Sequence, residues 1–102
     1  MAQKILVVDD EKSILDSLAG ILTDEGFEPI CVDSAENALE RLAEMPVDLV
    51  LLDIWMPGMD GLEALQKIKE NHPELQVIMI SGHGTIETAV QATKMGAFEF
   101  IR

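Results

Sequence analysis

Ile5-Leu6-Val7-Val8-Asp9-Asp10-Glu11 is the stretch on which the fold turns. Its first four residues are apolar, and Ile5, Val7 and Val8 are β-branched. A run this short and continuous suits a strand buried on both faces, as in a parallel sheet covered by helices. Acids follow at once, at the carboxyl end of that strand. Beyond them, Ile14, Leu15, Leu18, Ile21 and Leu22 recur at helical spacing, which predicts a helix with one apolar face, stopped by Gly26.

The same alternation continues outward. Pro29-Ile30-Cys31-Val32 predicts a second strand, with Pro29 at its start or on a sheet edge. Ser34 then caps a helix whose face is Ala35, Ala38, Leu39 and Leu42, and Pro46 ends it. Leu49-Val50-Leu51-Leu52 is a third strand, again closed by an acid, Asp53. Met56-Pro57-Gly58-Met59-Asp60-Gly61 is turn chemistry. Leu62, Ala64, Leu65 and Ile68 mark a helix that His72-Pro73 stops. Val77-Ile78-Met79-Ile80 is a fourth strand and Ser81-Gly82-His83-Gly84 a loop. Thr85 caps a helix carrying Ile86, Ala89, Val90 and Met95, Gly96 ends it, and residues 97–101 begin a fifth strand. Repeated βα units imply a parallel sheet with helices on both faces, with functional groups gathered beyond the carboxyl ends of the strands.

Composition narrows the function. The chain has 102 residues, 48% of them hydrophobic, which suits one packed domain. Its net charge of −12, from 19 acidic and 7 basic residues, argues against direct binding of a nucleic-acid backbone by this domain. Apolar runs such as Leu49 to Leu52 fall far short of the roughly 20 residues of a membrane-spanning helix. No signal peptide precedes the first strand, and Cys31 has no disulfide partner within the chain, so a cytoplasmic location is expected.

Strands one, three and four end in Asp9-Asp10-Glu11, Asp53 and Ser81-Gly82. Each has a bland reading alone: acids favouring a helix start, a turn aspartate, ordinary loop residues. His83 reads as loop or surface, and Trp55 as cover for a pocket. If strands one and three are neighbours, however, the acids meet. Two like charges about 4 Å apart repel by roughly 4 kcal/mol at an effective dielectric of 20. A helix N-terminus offsets only about 0.3–1 kcal/mol of that per charge. Protonation or a hard cation must supply the rest, and carboxylates with a carbonyl and water suit magnesium, calcium or manganese. A carboxylate beside such an ion can attack phosphorus and form an acyl phosphate, with the Ser81 hydroxyl available to the phosphoryl oxygens.

Taken together, Ile5–Glu11, Leu51-Leu52-Asp53-Ile54-Trp55-Met56-Pro57-Gly58-Met59-Asp60-Gly61, Ile80-Ser81 and Gly96-Ala97-Phe98-Glu99-Phe100 resemble the receiver domain of two-component response regulators, from about Lys4 to Arg102. The resemblance implies a flavodoxin-like (CheY-like) doubly wound α/β fold with a parallel five-stranded sheet in the order 2-1-3-4-5. It implies that Asp53 is the phosphoacceptor, Asp10 a direct ligand of Mg2+ (Mn2+ as a substitute) and Asp9 a ligand through water. The Trp55 backbone carbonyl would be a further ligand, Ser81 the hydroxyl that contacts the phosphoryl group, and Phe100 the aromatic switch. The expected partners are a sensor histidine kinase as donor and an output domain, transcriptional in character, or a second protomer as recipient of the signal; no membrane is involved. The protein would not be an enzyme beyond slow autodephosphorylation. Ser81 to Val90 is similar to receivers of sigma-54-dependent regulators of the nitrogen-regulation type.

The family also places a lysine at the end of strand five, which would follow Arg102, and a fifth helix after it. Residues 1–102 are therefore expected to form a receiver domain incomplete at its C-terminus, lacking the last helix. Competing readings are a receiver that acts through contacts without phosphorylation, and an aspartyl-phosphate phosphatase. The latter commonly carries a second acid two residues after its nucleophile, where this chain has Trp55. A flavodoxin-type phosphate loop is disfavoured because Asp9-Asp10-Glu11 would repel the phosphate.

Overall fold

The computed structural model describes residues 2–54, 56, 58–80, 94, 96 and 99–101, the last three by backbone alone. It opens with the interior strand β1 (Lys4–Val8), in which Ile5 through Val8 are all buried, as an unbroken apolar run requires. The chain continues through α1 (Lys12–Asp24), β2 (Glu28–Val32), α2 (Ala35–Glu44), β3 (Leu49–Asp53), α3 (Gly61–Asn71), β4 (Val77–Ile80) and β5 (Glu99–Ile101). The strands form one five-stranded sheet in the order β2-β1-β3-β4-β5. Every pairing is parallel. Pro29 sits near the start of β2, an edge strand, where a missing N–H costs no ladder bond on the open side.

The chain leaves β1 for β2 on one side and returns to β3 on the other. The order of strands thus reverses between β1 and β3, and their carboxyl ends flank the crevice where open α/β sheets hold ligands. The register aligns Val8 with Leu52, so the next residue of each strand, Asp9 and Asp53, comes side by side.

Local signals explain most helix boundaries. The Ser34 hydroxyl accepts the Asn37 N–H at 3.1 Å and starts α2. Met45, before Pro46, is extended and ends it. Asp60 plays the same part for α3, accepting the Glu63 N–H at 2.9 Å, and His72 before Pro73 closes that helix. Gly26 donates to the Thr23 carbonyl and Phe27 to the Leu22 carbonyl, turning the chain out of α1.

The two faces of the sheet differ. Leu6, Val8, Val50, Leu52, Val77 and Met79 pack under α2 and α3 through Ala38, Leu42, Ala64, Leu65 and Ile68 in one buried core. On the opposite face α1 lies over β1 and β2, where the Cys31 thiol reaches the Leu15 carbonyl at 3.8 Å. Leu49, Leu51, Ile78 and Ile80 stay only half-buried there. The expected apolar face of α1 is accordingly narrower than its sequence spacing. Leu15, Leu18, Ala19 and Leu22 are half-buried, whereas Ile14 and Ile21 are 37% and 58% exposed. Those two residues lie a step around the helix from the stripe that rests on the sheet, and α1 has no fully buried residue.

Candidate metal and phosphoryl site

Asp9 continues β1 by one residue, its N–H donating to the Val32 carbonyl at 3.3 Å. Its side chain is buried at 6% exposure, the one buried charged residue among those described. The carboxylate oxygen Oδ1 accepts the Glu11 N–H at 2.9 Å, just before α1 begins. Asp10 is exposed and Asp53, the last residue of β3, half-buried. One carboxylate oxygen from each of Asp9, Asp10 and Asp53 lies within 4.8 Å of the others. The three acids singled out in the sequence are therefore brought together, and the cause is the register of β1 on β3.

Burial raises the Asp9 carboxyl above its ordinary range. The Glu11 N–H works against that shift, and the neighbouring charges of Asp10 and Glu11 add to it. A proton or a cation thus relieves the group. Among the described residues the donor set is oxygen only, without imidazole or thiolate, which fits a hard divalent ion such as magnesium or manganese rather than zinc. Lys12, the next basic residue along the chain, pairs instead with Asp16 at 3.3 Å on the exposed side of α1.

Trp55, Ser81 and His83 lie outside the described residues. So do Lys94's neighbours in the Thr85–Met95 helix expected from sequence, and Arg102. Phe100 is described as backbone only, paired with Met79 at the centre of the short β5.

Two features of the site were not apparent in the sequence. Ile54, which follows the strand, and Met56, read as the beginning of a turn, are buried at 1% and 7% and belong to the core under α2 and α3. They anchor the chain immediately after Asp53. Gly61, read as the end of the turn, is instead the buried first residue of α3, and its N–H donates to the Ile54 carbonyl at 2.8 Å. The available signal was the Asp60-Gly61 pair: an N-cap residue directly before a helix, seven residues after an acid that ends a strand.

Comparison with known proteins finds relatives in sequence and in fold. The family model for the response regulator receiver domain matches residues 5–102. The nitrogen assimilation regulatory protein NtrX of Azorhizobium caulinodans is 52% identical over 103 residues, covering 99% of this chain but 23% of its own length. The chain thus spans about a fifth of the curated relatives it matches. The crystal structure of the receiver domain of NtrX from Brucella abortus superposes with a TM-score of 0.90 at 55% identity, covering 95% of this chain and 82% of that one. The beryllofluoride-activated NtrC4 receiver domain dimer matches with a TM-score of 0.91 at 45% identity, over 96% of this chain and 81% of that one.

Proposed function

The chain belongs to the response regulator receiver domain family, and on that premise we propose that Asp53 accepts a phosphoryl group in a site it shares with Asp9 and Asp10. The observation that carries this reading is the approach of three carboxylates to within 4.8 Å at the carboxyl ends of β1 and β3. Asp9 and Asp10 are the residues to hold Mg2+, with Asp53 and the Trp55 carbonyl completing the protein's share. Once bound, the ion screens the approach of an anionic donor to an anionic nucleophile.

The chain's own residues do the rest. An Asp53 carboxylate oxygen forms a bond to phosphorus as the bond from phosphorus to the donor breaks, and the departing group keeps the electron pair. For a phosphohistidine donor, the leaving imidazole takes up a proton. Ile54 and Met56, held in the core, fix the backbone behind the nucleophile. Asp9, held by the Glu11 N–H, presents its carboxylate to the same space. Ser81 contacts the new phosphoryl oxygens and Phe100 follows it, so that about −1.5 to −2 added charges at Asp53 are read at β4 and β5.

In this reading the donor is a sensor histidine kinase in the cytoplasm. The recipient is a transcriptional output domain of the sigma-54-dependent type, or a second protomer, as in the activated NtrC4 receiver dimer. Water removes the phosphoryl group only slowly. Residues 1–102 belong to the receiver domain without making up all of it, and the half-covered Leu49, Leu51, Ile78 and Ile80 face is the seat for its last helix.

The test is intact-mass measurement after incubation with acetyl phosphate. A single phosphoryl increment is expected with Mg2+, little without it, and none in Asp53→Asn. The measurement is repeated on a chimaera that adds the C-terminal segment of the B. abortus NtrX receiver. If neither chain gains the increment, even with a cognate kinase, the reading is wrong.

A further inference from the structure

We infer that Gly61 is a positioning residue for Asp53: the absence of a side chain at 61 sets where the β3 carboxyl end, and hence the nucleophile, can lie. The inference rests on the assignment of Asp53 as phosphoacceptor. Gly61 is buried and belongs to a helix, and its φ is not positive, so space rather than backbone conformation demands glycine. A Cβ at this position would overlap the Asp53 carbonyl oxygen. It would also lie 2.5 Å from the Ile54 Cα and 2.9 Å from the Asp53 carbonyl carbon.

All of those atoms are backbone, so no rotamer change relieves the overlap. Either α3 retreats or the Asp53–Ile54 peptide moves. Retreat is opposed by the Gly61 N–H bond to the Ile54 carbonyl at 2.8 Å and by Ala64, Leu65 and Ile68, which are wholly buried in the core. Ile54, at 1% exposure, holds the other side. The start of α3 and the end of β3 are thus in direct backbone contact, and the contact distance is set by one missing methyl group. A shift of the Asp53 backbone by about 1 Å moves its carboxylate relative to Asp9 and Asp10, and misplacement on that scale costs on the order of 100-fold in rate.

Gly58 provides the control. It lies in the same loop with φ of +79°, so alanine there strains the backbone. Its Cβ would meet only the flexible end of Glu36, at 3.3 Å, and not Asp53.

The experiment follows phosphorylation by acetyl phosphate and Mg2+ over time in the parent, Gly61→Ala and Gly58→Ala. Trimethylamine N-oxide is added until circular dichroism shows equal helix content. Rate constants are taken at saturating donor and Mg2+, so that loss of folded protein lowers amplitude and loss of positioning lowers the constant. The expected result is a constant lower by on the order of 100-fold in Gly61→Ala and unchanged in Gly58→Ala. Equal constants in parent and Gly61→Ala overturn this inference and leave the Asp53 assignment standing, as does equal slowing of both variants. If neither the parent nor its chimaera with the C-terminal segment of the B. abortus NtrX receiver takes a phosphoryl group, even from a cognate kinase, the Asp53 assignment falls and this inference with it. If Gly61→Ala does not fold, NMR of the parent decides. On adding beryllofluoride and Mg2+, the Gly61 amide resonance must move together with that of Asp53, and a stationary Gly61 resonance overturns the inference.

Discussion

At the level of single residues, Asp9 concentrates the electrostatic conflict of the site, because it is buried beside two further acids. Its carboxyl is raised chiefly by burial, whereas the unfolded chain leaves it at its ordinary value. Between those two values the folded state binds more protons than the unfolded one. Asp9 therefore contributes stability at pH below the ordinary carboxylate range, and that contribution is lost as pH rises through the raised value. Asp9→Asn is expected to stabilise the metal-free domain at neutral pH by on the order of 1 kcal/mol, since removing one like charge at about 4 Å relieves that much even at the dielectric of water. Urea titrations at neutral and acidic pH check this, and the gain should vanish at the acidic end. Millimolar Mg2+ should reverse the order of the two proteins, because only the parent keeps the full ligand set. Asp9, Asp10 and Asp53 were legible from sequence as strand-end acids. The steric role of Gly61 was not, since a turn glycine and a close-packed glycine have the same neighbours in sequence.

At the level of elements, the caps and stops followed the residue types closely. Ser34, Asp60, Pro46 and Pro73 act where their chemistry directs. Ser34→Ala removes the acceptor for the Asn37 N–H and is expected to lower stability by about 1 kcal/mol. Its phosphorylation rate constant should stay at the parent value, because the Ser34 hydroxyl serves the Asn37 N–H and not the three acids. Urea denaturation and the acetyl phosphate time course check the two halves. α1 was read less well. Its periodicity set Ile14 and Ile21 on the apolar face with Leu15, Leu18 and Leu22, yet both are exposed. Spacing marks which residues share a helix side. It does not say how wide a stripe the sheet beneath will accept, and here the stripe is limited to Leu15, Leu18, Ala19 and Leu22. Met56 errs in the other direction, since a single apolar residue inside turn chemistry gives no periodicity to reveal its burial.

At the scale of the whole molecule, alternation of apolar runs with helical faces was enough to specify a parallel α/β sheet. The pairing order was not in that alternation and came through family resemblance; the structure has the same order. The half-covered face of β3 and β4 yields a further expectation. Adding the C-terminal segment of the B. abortus NtrX receiver should raise stability by at least about 2 kcal/mol, given roughly 1.5–3 kcal/mol for each large apolar side chain fully covered. The urea midpoint and its slope, which grows with the area exposed on unfolding, measure this. The proposed switch requires the fold to select one nucleophile from 19 acidic side chains. Its most direct test is to phosphorylate the chain with acetyl phosphate and Mg2+, trap the acyl phosphate by borohydride reduction, and locate the resulting homoserine by fragment mass spectrometry. Homoserine is expected at position 53 alone; a trapped residue at Asp9, Asp10 or any other acid, with Asp53 unreduced, overturns the assignment.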